Sequence, residues 1–152
     1  MKKILLSTFL ALFIFLSTYP LHSFAQEPST LNLPQSAKAR LGKGWISELK
    51  YSPDGTRLAV ATAIGIWLYN TQTYEEVALL TRHTEGTSSI VFSSDNTTLA
   101  SGSWDGTVHL WNVATGEHQR AFTGHTDAVY SVAFGTDNLT LASGSADGTI
   151  YL

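Results

Sequence analysis

The 152-residue sequence contains no cysteine. That excludes a disulfide framework, a thiolate metal site and a cysteine nucleophile. Charge is scarce as well: charged residues make up 14% of the chain, with 9 basic against 12 acidic and a formal charge of −3. No run of like charge occurs, so the clustered Lys and Arg that grip a phosphate backbone are missing and no nucleic-acid partner is expected. At 43% hydrophobic residues the chain is too apolar for intrinsic disorder. It has no Gly-x-Ser-x-Gly nucleophile elbow and no acidic calcium loop. His83, His109, His118 and His125 lack zinc-ligand spacing. These absences point to no catalytic residue, no cofactor and no metal. Length alone suggests one domain.

The only extended apolar segment stands at the start. Lys2 and Lys3 precede Ile4 to Leu16, an apolar stretch of 13 residues interrupted by Ser7 and Thr8. Ser23-Phe24-Ala25 then offers small residues at a cleavage site, so residues 1–25 read as a signal peptide cut after Ala25. A membrane anchor is the alternative, but a bilayer core needs about 20 apolar residues. The expected location is exported, periplasmic or extracellular, with membrane contact only if the segment stays uncleaved. Residues 26–41, with Pro28 and Pro34, read as a linker.

The remainder of the chain is repetitive. Residues 81–110 fall on residues 123–152 at an offset of 42, with 17 of 30 positions identical. His83 meets His125, Asp95-Asn96 meets Asp137-Asn138, and Leu99-Ala100-Ser101-Gly102-Ser103 meets Leu141-Ala142-Ser143-Gly144-Ser145. A weaker copy lies upstream: Tyr51-Ser52-Pro53-Asp54-Gly55 matches Phe92 to Asn96, and Leu68-Tyr69-Asn70 matches Leu110-Trp111-Asn112. Within each copy, short β-prone runs such as Val129 to Phe134 alternate with Asp-Asn and Asp-Gly turn pairs. Four short strands in about 42 residues make one propeller blade.

Ser103-Trp104-Asp105-Gly106-Thr107-Val108-His109-Leu110-Trp111-Asn112 resembles the WD-repeat β-propeller family, as does Thr123-Gly124-His125 with Ser143 to Thr149. The resemblance covers about residues 42–152, with blades over about 42–80, 81–122 and 123–152, the last truncated. It implies an all-β fold, a partial propeller of about three four-stranded antiparallel blades after an N-terminal signal helix.

The resemblance also implies a buried polar tetrad in each blade. Carried onto this chain, it uses His83, Ser103, Asp105 and Trp111 in the middle blade. In the last blade it uses His125, Ser145 and Asp147, the Trp position falling at 153. The first copy has Gly42 at the His position, Ala63 and Ile64 in the Asp region, and Tyr69 for Trp. It is expected to rely on packing of Ile46, Leu49, Tyr51, Leu58, Val60, Ile66 and Leu68. Recurrence of Ser, His and Asp in successive copies argues for structural use, because a catalytic triad occurs once per site. Asn96-Thr97-Thr98 and Asn138-Leu139-Thr140 are formal glycosylation sequons in turns.

The expected function is a non-enzymatic protein–protein interaction scaffold with a protein partner. Glu85, Trp104, Asp127 and Ala146 are the partner-facing candidates. Trp104 reads either as an exposed anchor or as a residue packed on a neighbouring blade. The rival reading is the N-terminal part of a longer exported enzyme or cell-envelope sensor. Fewer than three blades fall short of the 4–8 of a closed propeller. The sequence is thus expected to be part of a longer chain, seven-bladed by resemblance, and residues 26–152 alone are expected to be poorly soluble or to associate.

Overall fold

The computed structural model describes residues 37–41 and 44–152. The expected signal peptide, linker residues 26–36 and Gly42 lie outside the described residues. One compact unit spans Ala39–Leu152.

Every regular element among the described residues is a strand. The first sheet contains β1 (Ile46–Tyr51), β2 (Arg57–Thr62), β3 (Gly65–Asn70) and β4 (Glu76–Leu80). The second contains β5 (Thr87–Phe92), β6 (Thr98–Ser103), β7 (Val108–Asn112) and β8 (His118–Phe122). The third contains β9 (Val129–Phe134), β10 (Leu141–Ser145) and β11 (Ile150–Tyr151). Within each sheet consecutive strands are hydrogen-bonded neighbours and pair antiparallel. This is the blade pattern that the repeat predicts.

The turns explain why the strands end where they do. Asp54, Asp95 and Asp137 each accept a backbone N–H two residues on, from Thr56 at 2.9 Å, Thr97 at 3.0 Å and Leu139 at 3.0 Å. The next residue in each turn has positive φ: Gly55 at 71°, Asn96 at 63° and Asn138 at 56°. Asparagine tolerates that region better than most side chains. Its amide also clasps the preceding blade: Asn96 Oδ1 accepts Asp54 N–H at 3.0 Å, and Asn138 Oδ1 accepts Ser94 N–H at 2.9 Å. Both sequon asparagines are therefore engaged within the fold.

Side-chain alternation gives every blade two faces. Ala59, Ala61, Ile66 and Leu68 of the first blade pack with Leu99, Trp111 and Val113 of the second. On the second blade's other face, Val108 packs with Val129 and Val132 of the third. Gly102 is required at that contact, since an added Cβ would lie 2.7 Å from Val129 Cγ1. Hydrogen bonds cross the same seams. Ser47 Oγ donates to Thr87 O at 2.5 Å and Ile90 N–H to Glu48 Oε2 at 2.6 Å. Ser88 Oγ donates to Val129 O.

The first blade departs from the sequence reading on β1. Val60, Ile66 and Leu68 are buried and Leu58 is partly buried, but Ile46, Leu49 and Tyr51 are exposed. Those three lie on an edge strand that borders only β2 in its sheet. Ile66 and Leu68 join the core shared with the second blade, and Val60 packs with Trp67 and Tyr69, against which Leu41 and Leu58 lie.

Candidate functional site

The second blade builds its polar centre from two strands, β6 and β7, and two loops, which carry His83 and Asp105. Leu99 pairs with Trp111 across β6 and β7, and Ser101 pairs with His109. Trp111 is 2% exposed, and its Nε1–H donates to Ser101 Oγ at 2.8 Å. Ser101 Oγ lies 2.8 Å from His83 Nε2, and His83 Nδ1 lies 3.2 Å from Asp105 Oδ2. Indole can only donate. Ser101 accepts from Trp111 and so turns its own proton to His83 Nε2. That leaves His83 with its proton on Nδ1, facing the carboxylate.

The serine assignment needs correction. The family resemblance puts Ser103 in this relay, but Ser101 occupies the place. The motif Leu99 to Ser103 presents two serines two residues apart, hence on one face of β6. Trp111 is paired with Leu99, so its indole reaches the nearer serine. Ser103 closes the loop above: its Oγ donates to Gly86 O at 3.0 Å and accepts Asp105 N–H at 3.2 Å. The third blade repeats the correction. Ser143, not Ser145, meets His125 Nε2 at 2.9 Å, while Ser145 Oγ donates to Asp127 O at 2.9 Å.

Threonines escaped the sequence reading. Asp105 accepts Thr107 N–H at 2.9 Å, Thr107 Oγ1–H at 2.6 Å and Thr84 N–H at 2.8 Å. Burial pushes its carboxyl up, but these bonds outweigh that and hold it at about 2. Asp147 is arranged alike by Thr149 and Thr126, with His125 Nδ1 at 3.0 Å. The Thr149 hydroxyl bond is the largest cause that holds its carboxyl far below the usual range. The recurrence of Asp-Gly-Thr in both copies was the available signal. A cleft of about 250 Å³ opens beside Ser143 and His125, lined also by Val108, Leu141 and Tyr151.

The first blade carries other residues at the corresponding registers. Val60 pairs with Trp67 and Leu58 with Tyr69, the registers that Ser101–His109 and Leu99–Trp111 occupy next door. Trp67 and Tyr69 stack with centroids 6.5 Å apart.

Above these centres the inter-strand loops form a face. Glu85, Asp127 and Ala146 are exposed there, as the sequence suggests. Trp104 is exposed, and the ring contact it makes is with its own blade. It is 46% exposed, and its ring lies over Gly86, where an added Cβ would meet Cζ3 at 2.9 Å. Trp45, 79% exposed, lines the same apolar cleft of about 280 Å³ with Trp104, Ala63 and Gly86. Trp45 is no partner-facing candidate in sequence, because nothing in the repeat pattern pairs it with Trp104. The backbone of Asp127 borders this loop set, its carbonyl 3.3 Å from where a Cβ on Gly106 would stand.

Known proteins share this architecture. The family model for the WD domain, G-beta repeat, matches residues 74–112 and 116–152, half of the chain. No curated protein matches it. Two solved structures, described as the structure of U3-55K and the crystal structure of RRP9 WD40 repeats, each superpose with a TM-score of 0.69 and 26% identity over 73% of this chain. Each match covers 36% of the solved chain, so the present sequence spans just over a third of the length of those neighbours. Repeat pattern, blade topology and matched residues agree: the chain belongs to the WD40 repeat family of β-propellers.

Proposed function

We propose that the protein is a non-enzymatic interaction scaffold whose docking face is the loop surface around Trp104. The carrying observation is the Trp45–Trp104 cleft: two exposed indoles border one apolar slot on a strand-supported face. Exposed tryptophans on a rigid scaffold anchor protein partners well. Exposed Glu85 and Asp127 supply polar surroundings, and Ala146 leaves the third blade's corner low.

The Ser, His and Asp sets support a non-catalytic reading. Ser101 is fully buried, donates to His83 and accepts from Trp111. A nucleophile needs exposure beside an oxyanion hole. A serine-directed covalent probe is expected to label none of Ser101, Ser103, Ser143 or Ser145. Labelling of any one overturns this.

Trp104→Ala tests the docking face, with Gln72→Ala on an exposed turn as control. The expected result is loss of about tenfold or more in affinity for a bound protein partner on Trp104→Ala alone. Equal affinity of both variants contradicts the assignment. We also propose export, supported by Lys2, Lys3, the apolar Ile4 to Leu16 segment and Ser23-Phe24-Ala25. N-terminal sequencing of the secreted protein is expected to begin at Gln26. An intact Met1 on membrane-bound material contradicts it.

A further inference from the structure

One position differs in every blade at the same register. The residue paired with Val60, Ser101 or Ser143 is Trp67, His109 or Tyr151. Only the second blade puts a titratable imidazole there, and it extends it into a stack of mutually tilted rings. His83 and His109 have ring centroids 4.4 Å apart, and His109 and His118 are 4.8 Å apart. Trp111 lies against the same rings, 5.7 Å from His109 and 5.3 Å from His118. In the third blade the corresponding contact is His125 on Tyr151, at 4.2 Å.

The stack has poor provision for charge. His109 is 7% exposed, and its Nδ1 and His118 Nε2 are buried without a hydrogen-bond partner. His83 already uses both nitrogens, Nδ1 toward Asp105 and Nε2 toward Ser101. Protonated at Nε2, His83 would confront the Ser101 hydroxyl with a second donor and leave that hydroxyl proton without its acceptor. Asp105 is the carboxylate that meets His83, and its oxygens are occupied by Thr84, Thr107 and His83. Arg82 adds positive charge near His109. Glu117 lines the cleft beside His118, and from the first blade Leu79 and Leu80 bring no titratable group to it. Burial first, then the neighbouring histidines, depresses His109 to about 4, and burial also depresses His83 against the pull of Asp105.

We propose that the buried His83–His109 ring pair, on which His118 packs, is an acid-sensitive latch, which loosens the seam between the first and second blades in mild acid. A folded-state pKa below the unfolded value means stability that is complete above the unfolded value and lost as pH falls toward the folded one. The working window is therefore about pH 6.5 down to 4. The latch sits where Trp111 joins Leu80 of the neighbouring blade in one core, so protonation acts on the seam as well as on the blade's own centre.

The test exchanges residues among the protein's own blades. His109→Tyr and His109→Trp install what the third and first blades carry. Hydrogen exchange of the full chain, corrected for intrinsic rate, is followed at β7–β8 and at β2–β3 from about pH 7.5 to 5. Wild type is expected to lose about tenfold or more protection at β7–β8, by the arithmetic of one pKa unit, with a smaller loss at β2–β3, whose Ala59, Ala61, Ile66 and Leu68 share the seam core with Trp111. Both variants are expected to flatten that loss. Equal pH dependence in wild type and variants overturns the proposal. Should neither variant fold, the His109 ring resonance in wild type decides: no titration above about pH 5 supports the latch, and an ordinary midpoint near about 6.5 overturns it.

Discussion

The first and second blades share a backbone and differ in what fills it. Leu58–Tyr69 and Val60–Trp67 in one occupy the cross-strand registers of Leu99–Trp111 and Ser101–His109 in the other. The first fills the space with an apolar aromatic cluster, the second with a hydrogen-bonded relay. The difference teaches that the blade is specified by its turns and alternation, and that the centre can be dry or polar provided it is internally consistent. A relay is the more exacting solution. Each buried donor in it needs its acceptor, and a partly satisfied network is worse than an apolar one.

The largest way to break the comparison is to remove the shared aromatic column. Trp111→Ala is expected to cost about 3–5 kcal/mol, because the ring is 2% exposed and joins both the inter-blade core and the relay. Thermal or denaturant unfolding checks it. A loss under about 1 kcal/mol would mean that the second blade does not depend on this ring.

Polar deletions then separate the blades. Asp105→Ala strands Thr84 N–H, Thr107 N–H and the His83 proton, at an expected cost of about 1–3 kcal/mol. The first blade has only Ala63-Ile64 in that turn and no such group to lose. The acid limb of the wild-type stability curve sharpens this. The Asp105 carboxyl, at about 2 against an ordinary 3.8, stabilises the fold fully above about pH 4 and ceases to do so as pH falls through 2. Asp105→Asn is expected to make that limb shallower, with Asp147 retaining its own share. An unchanged limb would mean that Asp105 does not set the acid response.

Ser101→Ala is expected to cost about 1–3 kcal/mol as well, by leaving the Trp111 indole N–H unpaired. The reciprocal change, Val60→Ser, gives the first blade a serine among Trp67 and Tyr69 with no histidine to receive it, and is also expected to destabilise. The Trp111 indole resonance distinguishes serines: it should move in Ser101→Ala and stay in Ser103→Ala. The reverse pattern would restore the assignment read from sequence.

The sequence made the blades legible because a 42-residue spacing and Asp-Gly and Asp-Asn turns are local signals. It made His83, Asp105 and Trp111 legible through their motif. Ser101 was missed because Leu-Ala-Ser-Gly-Ser offers two serines of equal periodicity, and the choice depends on cross-strand register with Trp111. The exposure of Ile46, Leu49 and Tyr51 was missed because the apolar residues of a strand do not show what covers it: β5, also first in its sheet, is mostly buried, and β1 is not. The His83–His109–His118 stack was missed for a similar reason: His109 and His118 lie on different strands, and only β7–β8 pairing brings them together.

The smallest expected effect lies in the clasps between blades. Asn96→Gly keeps the positive φ that Gly55 shows in the first blade and removes the acceptor of Asp54 N–H. It is expected to cost about 0.5–1.5 kcal/mol, read as a small drop in melting temperature. Stabilisation instead would mean that backbone freedom, not the clasp, selects asparagine there.

The relay itself is tested most directly by the protonation pattern of His83. Long-range nitrogen–proton NMR of the His83 ring at neutral pH reads it in a single spectrum. The relay requires a neutral imidazole with its proton on Nδ1 toward Asp105 and a bare Nε2 accepting from Ser101. A proton on Nε2, or a doubly protonated ring, would contradict the relay.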